Sequence, residues 1–287
     1  MLRSHPDCAP IAGGSMATYT AQSVEEGRAP VEIGSRKDNW WFAPLMFALV
    51  FGTFVVYTTF RMFENNYYEF GNYLSPFYSP VVPLHLVVNI PLLGAKMVSP
   101  AIYILVFPLS FRMTCYYYRK AYYRAFFADP AGCAVGEPMP KMRMNYTGER
   151  AFPFVLQNLH RYAFYAAAVF IVLLGWDTIK AFMFQDPVSG GTHFGIGVGS
   201  LVFLVNWILL SCYTFGCHSW RHLIGGGTDC YSCSALTRTK YGLWQKSSYL
   251  NKRHAFFAWC SMISVGLTDV YVNLVARGMI TDLRHIF

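Results

Sequence analysis

The chain has 287 residues, of which 54% are hydrophobic, 18% aromatic and only 13% charged, against about 25% charged in an ordinary globular domain. So few charges cannot cover a water-exposed surface, which excludes disorder, fibrous repeats and a typical soluble enzyme and points to the bilayer as solvent. The formal charge of +8 lies beside apolar runs and forms no single stripe, so no nucleic-acid partner is expected.

The first 38 residues are polar and contain no apolar stretch, so they are expected to form a cytoplasmic N-terminal extension (1–38) with no cleavable signal peptide. Residues 39–287 are expected to form the membrane domain. A helix needs roughly 20 apolar residues to cross about 30 Å of hydrocarbon, and five stretches qualify: Trp40 to Phe60, Lys96 to Phe111, Leu156 to Phe182, Phe194 to Cys217 and His254 to Ala276. The expected fold class is therefore an all-α integral membrane protein, a bundle of five transmembrane helices with a cytoplasmic N-terminus. The second stretch is interrupted by Pro83, Pro91, Pro100 and Pro108, which suits an interfacial or re-entrant piece leading into a kinked span.

Loop charge sets the expected orientation. Between Arg112 and Val155 there are seven basic residues and three acidic ones, and between Ser219 and Arg253 six basic residues and Asp229 alone. The loops after the first and third spans carry almost no base, so the positive-inside rule places both basic loops in the cytoplasm. Aromatic residues such as Trp40, Trp41 and Tyr116 to Tyr118 mark span ends at the headgroup layer. The outer segment Tyr67 to Pro83 is too rich in aromatics and proline for a flexible linker. It is expected to pack on the bundle and, with Tyr78 and His85, to offer flat apolar walls and hydrogen-bond donors to a quinone headgroup.

One segment carries metal chemistry, Cys217-His218-Ser219-Trp220-Arg221-His222, followed by Gly225 to Gly227 and by Cys230-Tyr231-Ser232-Cys233. On a helix, His218 and His222 share a face one turn apart, the glycines turn the chain back, and C-x2-C brings up two sulfurs. Two His and two Cys suit either a tetrahedral zinc ion or a 2Fe-2S cluster of the Rieske kind, with two imidazoles and two thiolates. Taken singly, each has an ordinary role: a small buried hydrophobe, an interfacial imidazole, a free dithiol. His160 opens the third span and His254 the fifth, and either facing His218 would give the paired imidazoles of a b-type haem. Asp177 and Asp269 fall within spans, where a carboxylate either serves function or pairs within the bundle.

The Trp40-Trp41 pair, the segment Tyr73-Leu74-Ser75-Pro76-Phe77-Tyr78-Ser79-Pro80 and the Cys217-His218, His222, Cys230, Cys233 cluster together resemble the membrane-anchor subunits of actinobacterial succinate dehydrogenase, the mycobacterial type 1 form of respiratory complex II. The resemblance runs from Asn39 onward. It implies an anchor in the bacterial cytoplasmic membrane that carries quinone reduction and leaves succinate oxidation to its partners, a flavoprotein and an iron–sulfur subunit. It also implies a Rieske-type 2Fe-2S cluster and a quinone, menaquinone by expectation. The simplest ligand set is His218, His222, Cys230 and Cys233, with Cys217 as the alternate sulfur and His160 or His254 as the alternate imidazole. Other readings of the same residues are a haem b anchor and a membrane scaffold or transporter with structural zinc.

Overall fold

The structure is a computed structural model, and it describes residues 36–82, 86–90, 94–132, 135, 137, 154–185 and 190–287. The chain divides into a small unit, residues 1–38 with 132–137, and a large unit, residues 39–131 with 138–287, which holds the helices. Four stretches are long and apolar enough to cross a membrane. The first is α1 (Phe42–Glu64). In the second, Val155–Lys180, a 3-10 turn (Phe154–Leu159) leads into α4 (His160–Lys180). The others are α5 (Val198–Phe215) and α8 (His254–Ala276). At 1.5 Å per residue they run from about 27 to about 39 Å.

Two of the expected spans are shorter than the sequence suggests. The second is α2 (Ala101–Thr114), only about 21 Å long. Its expected start, Lys96 to Val98, lies instead in strand β4 (Gly94–Val98), paired antiparallel with β3 (Leu86–Ile90), Leu86 opposite Val98. Proline explains the difference. It cannot donate to a helical ladder, so the helix begins immediately after Pro100, while a hairpin satisfies the backbone before it. Five full spans thus become, among the described residues, four long helices and one short one. The fourth span begins at Val198, because Phe194 to Gly197 belong to strand β6 (Thr192–Gly197). This strand lies between β5 (Met183–Gln185) and β7 (Arg284–Ile286) in an antiparallel sheet. A Cβ on Gly195 would sit 2.7 Å from the Phe184 ring, so that close approach requires glycine.

The membrane helices pack at two ends. At the end that carries the basic loops, Phe47, Phe111, Tyr118, Phe164, Tyr213, Ala258 and Met262 share one core with Cys115 and Cys217. Helix α3 (Tyr116–Phe127) lies there against α1 and α2. At the opposite end the segment after the β1–β2 hairpin (Glu69–Phe70, Tyr73–Leu74) plugs the bundle, with Ser75, Phe77, Tyr78 and Ser79 buried.

This plug answers both intramembrane carboxylates. Asp269, fully buried, accepts from Arg61 Nε at 2.8 Å, from the Tyr57 hydroxyl at 2.5 Å and from the Ser75 hydroxyl. Glu64 pairs with both Arg61 and Arg277. Asp177 accepts from the Ser79 hydroxyl. Each acid is therefore partnered within the bundle, which is the structural alternative left open by the sequence.

Candidate metal centre

The last turn of α2 and the first turns of α4 and α8 meet the end of α5 at the basic end of the bundle. Each brings one cysteine or histidine side chain. Cys115 stands at the break between α2 and α3, where its extended backbone (φ −64°, ψ 129°) ends one helix and starts the next. Cys217 stands at the corresponding break after α5, with φ −68° and ψ 145°, and opens α6 (His218–Gly225). His160 and His254 are the first residues of α4 and α8. All four line one cavity of about 560 Å³, together with Thr114, Arg119, Gln157, His218 and Asn251.

His160 Nε2 lies 3.0 Å from Cys217 Sγ, and His254 Nε2 lies 3.6 Å from Cys115 Sγ. Among the described residues no three His, Cys, Asp or Glu side chains converge on one point as at a single-ion site. The four form two thiol–imidazole pairs around a shared space. Thr114 fixes the form of one ring. Its hydroxyl donates to the Ser110 carbonyl at 2.7 Å, so at 2.9 Å from His160 Nδ1 its oxygen can only accept. The proton is then on Nδ1, and the Nε2 lone pair faces the cavity. A ring nitrogen held by an outer partner in this way is the usual arrangement for an imidazole ligand. His254 Nδ1 is buried with no hydrogen-bond partner.

Aromatic rings back the two imidazoles. Phe111 stacks on His160 at 4.9 Å and Tyr213 on His254 at 4.9 Å. Arg112 lies over the Tyr213 ring at 4.7 Å and donates to the Tyr118 hydroxyl at 2.6 Å and to Ser261 Oγ at 3.1 Å. Burial above all, against the lowering effect of the Ser219 amide and with a smaller contribution from the neighbouring Cys115, pushes the Cys217 thiol up to about 11. Free of a metal, that sulfur stays protonated at neutral pH.

Of the residues first expected to bind metal, His218 also lines this cavity, whereas His222, Cys230 and Cys233 are not among its walls. His218 and His222 face each other on α6 with Nε2 atoms 2.9 Å apart and both rings exposed. Burial first, then the charges of His222 and Arg221, hold His218 below the usual imidazole range. Cys230 and Cys233 are joined in a disulfide, so neither offers a free thiol. The structure does not gather these four at one point, whereas it does gather the alternates Cys217, His160 and His254. Cys115 and Thr114 were missed from sequence. The available signal was positional, since Cys115, His160, Cys217 and His254 each sit at the basic end of an apolar run.

Of the two quinone candidates, His85 lies outside the described residues. Tyr78 is buried in the plug, where its hydroxyl donates to the Arg61 carbonyl at 2.6 Å and its ring stacks on Tyr68 at 4.3 Å. A second cavity, of about 130 Å³, lies within the bundle beside the thiol–imidazole pairs. Its walls include Phe77, Pro108, Phe111, Phe170 and Tyr213, and Arg112 supplies the charge.

Residues 42–278 match the family model for the actinobacterial succinate dehydrogenase subunit SdhC. The chain is also similar to a solved structure, the Mycobacterium smegmatis Sdh1 complex in the apo form, with 41% identity and a TM-score of 0.75 over 93% of this chain and 99% of that one. No curated protein sequence matches. With four helices long and apolar enough to span a membrane, and a family match over most of its length, the chain belongs to the actinobacterial SdhC family, the membrane subunits of succinate dehydrogenase.

Proposed function

We propose that this protein relays electrons from soluble partners to a membrane quinone, using a Rieske-type 2Fe-2S cluster held by Cys115, Cys217, His160 and His254. The observation that carries the reading is the meeting of two thiols and two imidazoles, brought by four separate elements, around one cavity at one end of the bundle. Two sulfurs and two nitrogens are the donor set of a Rieske centre. The space between the two pairs suits a binuclear group better than one ion, and two thiols beside the imidazoles are foreign to a b-type haem site. A cluster in this ligand set carries one electron at a potential of about −150 to +300 mV, well above that of an all-cysteine plant-type cluster.

The chain's own groups would serve that relay in definite ways. Thr114 holds the His160 proton on Nδ1 and leaves the Nε2 lone pair facing the cavity. Phe111 and Tyr213 cover the imidazoles and also wall the second cavity, so an acceptor bound there lies one ring away from either His. An apolar cavity with one fixed guanidinium suits a quinone headgroup, whose rings are apolar and whose carbonyls accept hydrogen bonds. This moves the quinone from the plug around Tyr78 to the space beside Arg112.

The partners would be a flavoprotein and an iron–sulfur subunit, seated on the basic loops that the positive-inside rule assigns to the cytoplasm. The similar Sdh1 structure is itself of a complex, which supports an assembled form. To test the relay, Cys115→Ser and His254→Ala would each be made in the assembled enzyme. Succinate oxidation by an artificial dye should persist, while quinone reduction and the electron paramagnetic resonance signal of the reduced Rieske-type cluster should be lost. Quinone reduction at the unaltered rate in both variants would overturn the assignment, and a strong Soret band from the purified complex would favour haem b.

A further inference from the structure

If the iron cluster takes Cys115, Cys217, His160 and His254, then His218, His222, Cys230 and Cys233 are left without a role. They have a geometry of their own. His218 and His222 occupy one face of α6, and their Nε2 atoms point at each other from 2.9 Å, rings nearly perpendicular at 85°. Two nitrogens on one tetrahedral zinc, each about 2.0–2.1 Å from the metal, stand only slightly farther apart than that. Arg221, the cation between them in sequence, is turned away, over the Trp244 ring at 5.3 Å and toward Asn251.

The two sulfurs are tied to the end of the same helix. After Gly225 the chain turns through Gly227, whose φ of +67° is a conformation that favours glycine. It then comes back, so that the Tyr231 hydroxyl donates to the Gly225 carbonyl at 2.8 Å and the Tyr231 carbonyl accepts from Thr237 Oγ1 at 3.1 Å. Cys230 is therefore held next to a residue anchored one turn from His222. The disulfide lies in an exposed loop, with Ser232, Cys233 and Ser234 all open to solvent. The spacings, H-x3-H and C-x2-C, both fall within the ranges of structural Cys2His2 zinc sites.

We infer that His218, His222, Cys230 and Cys233 form a second metal site, beside the iron centre whose cavity His218 also lines, that binds one zinc ion when the disulfide is reduced. The chemistry balances with a phosphine reductant. The phosphine gives two electrons to the S–S bond and takes an oxygen from water as phosphine oxide, and the two thiols take the water's protons. Zinc binding then releases those thiol protons to solvent as the thiolates coordinate. In the disulfide form two imidazoles remain, and they chelate weakly.

The test uses the assembled complex purified from membranes, treated with a phosphine, equilibrated with one equivalent of zinc chloride per anchor chain and desalted. Zinc, iron and acid-labile sulfide are measured in the same samples, and the zinc shell is read by X-ray absorption. The expected result is one retained zinc with two sulfur neighbours near ~2.3 Å and two nitrogens near ~2.0–2.1 Å. The retained zinc should fall at least tenfold in His222→Ala, in Cys230→Ser/Cys233→Ser and in the unreduced wild type, with iron and sulfide unchanged. The variant His222→Gln, a smaller disturbance of α6, should lose zinc in the same way and guards against misfolding of the other variants. Equal zinc in wild type and variants, or a shell without sulfur, overturns the proposal. Loss of iron together with zinc also overturns it, by assigning these residues to the iron site, and in that case alone the relay's ligand set fails with it.

Discussion

At the residue scale the deciding group is a threonine. The Thr114 hydroxyl has one proton, and the Ser110 carbonyl at 2.7 Å takes it, so the tautomer of His160 follows from bookkeeping of donors alone. Thr114→Val keeps the shape and removes the acceptor. A lost outer partner of an imidazole ligand costs roughly 10–100-fold in metal affinity or activity. The variant should therefore retain less iron through a chelator challenge than wild type, measured as iron per anchor chain, with the dye-linked succinate activity unaffected. Cys115 shows why a single residue can escape a reading along the chain. It has no ligand-like neighbour in sequence, and its partner His254 is 139 positions away.

At the element scale, the two ends of the bundle are held by different physics. The basic end is an aromatic and apolar core, and the opposite end is fastened by buried charge. Arg61 on α1 and Asp269 on α8 are both almost wholly buried, and Ser75 of the plug and Tyr57 complete the carboxylate's partners. Asp269→Ala would leave the buried guanidinium with Glu64 as its one carboxylate partner, beside the Asn66 and Tyr67 carbonyls, a loss of the order of 3–5 kcal/mol for one partner of a buried pair. A lower midpoint of thermal unfolding of the detergent-solubilised complex should report it, and Asp269→Asn, which keeps a hydrogen-bond acceptor, should lose less. Gly199 poses a steric question at the same end. A Cβ there would meet the Tyr73 ring at 2.6 Å, and Tyr73 in turn donates to Asp282 at 2.7 Å. Gly199→Val should cost about 1–3 kcal/mol by overpacking, visible in the same melting experiment. The short helix α2 belongs to this scale too, because prolines that the sequence displays openly shorten it from the expected start at Lys96 to Ala101.

At the scale of the whole molecule, the surplus of base is concentrated at the end that gathers the thiols and imidazoles. Arg238, Lys240 and Lys246 lie on α7 (Ala235–Lys252), a polar helix capped by Ser234. Reversing all three to Glu should weaken co-purification with the soluble subunits. The deficit should shrink as ionic strength rises well above about 0.1 M, where the Debye length falls below ~10 Å. Equal recovery of the complex at low salt would remove these residues from the docking surface. The sequence by itself determined the membrane class, the helical positions of the four long spans and the asymmetry of charge, because each depends on composition within about 20 neighbouring residues. It also exposed the presence of His and Cys chemistry. Only the tertiary structure decided which of those residues meet. The local cluster at 217–233 was conspicuous because its members are close along the chain, whereas Cys115, His160, Cys217 and His254 come together because four helices end at one depth, a coincidence of packing that no local pattern records.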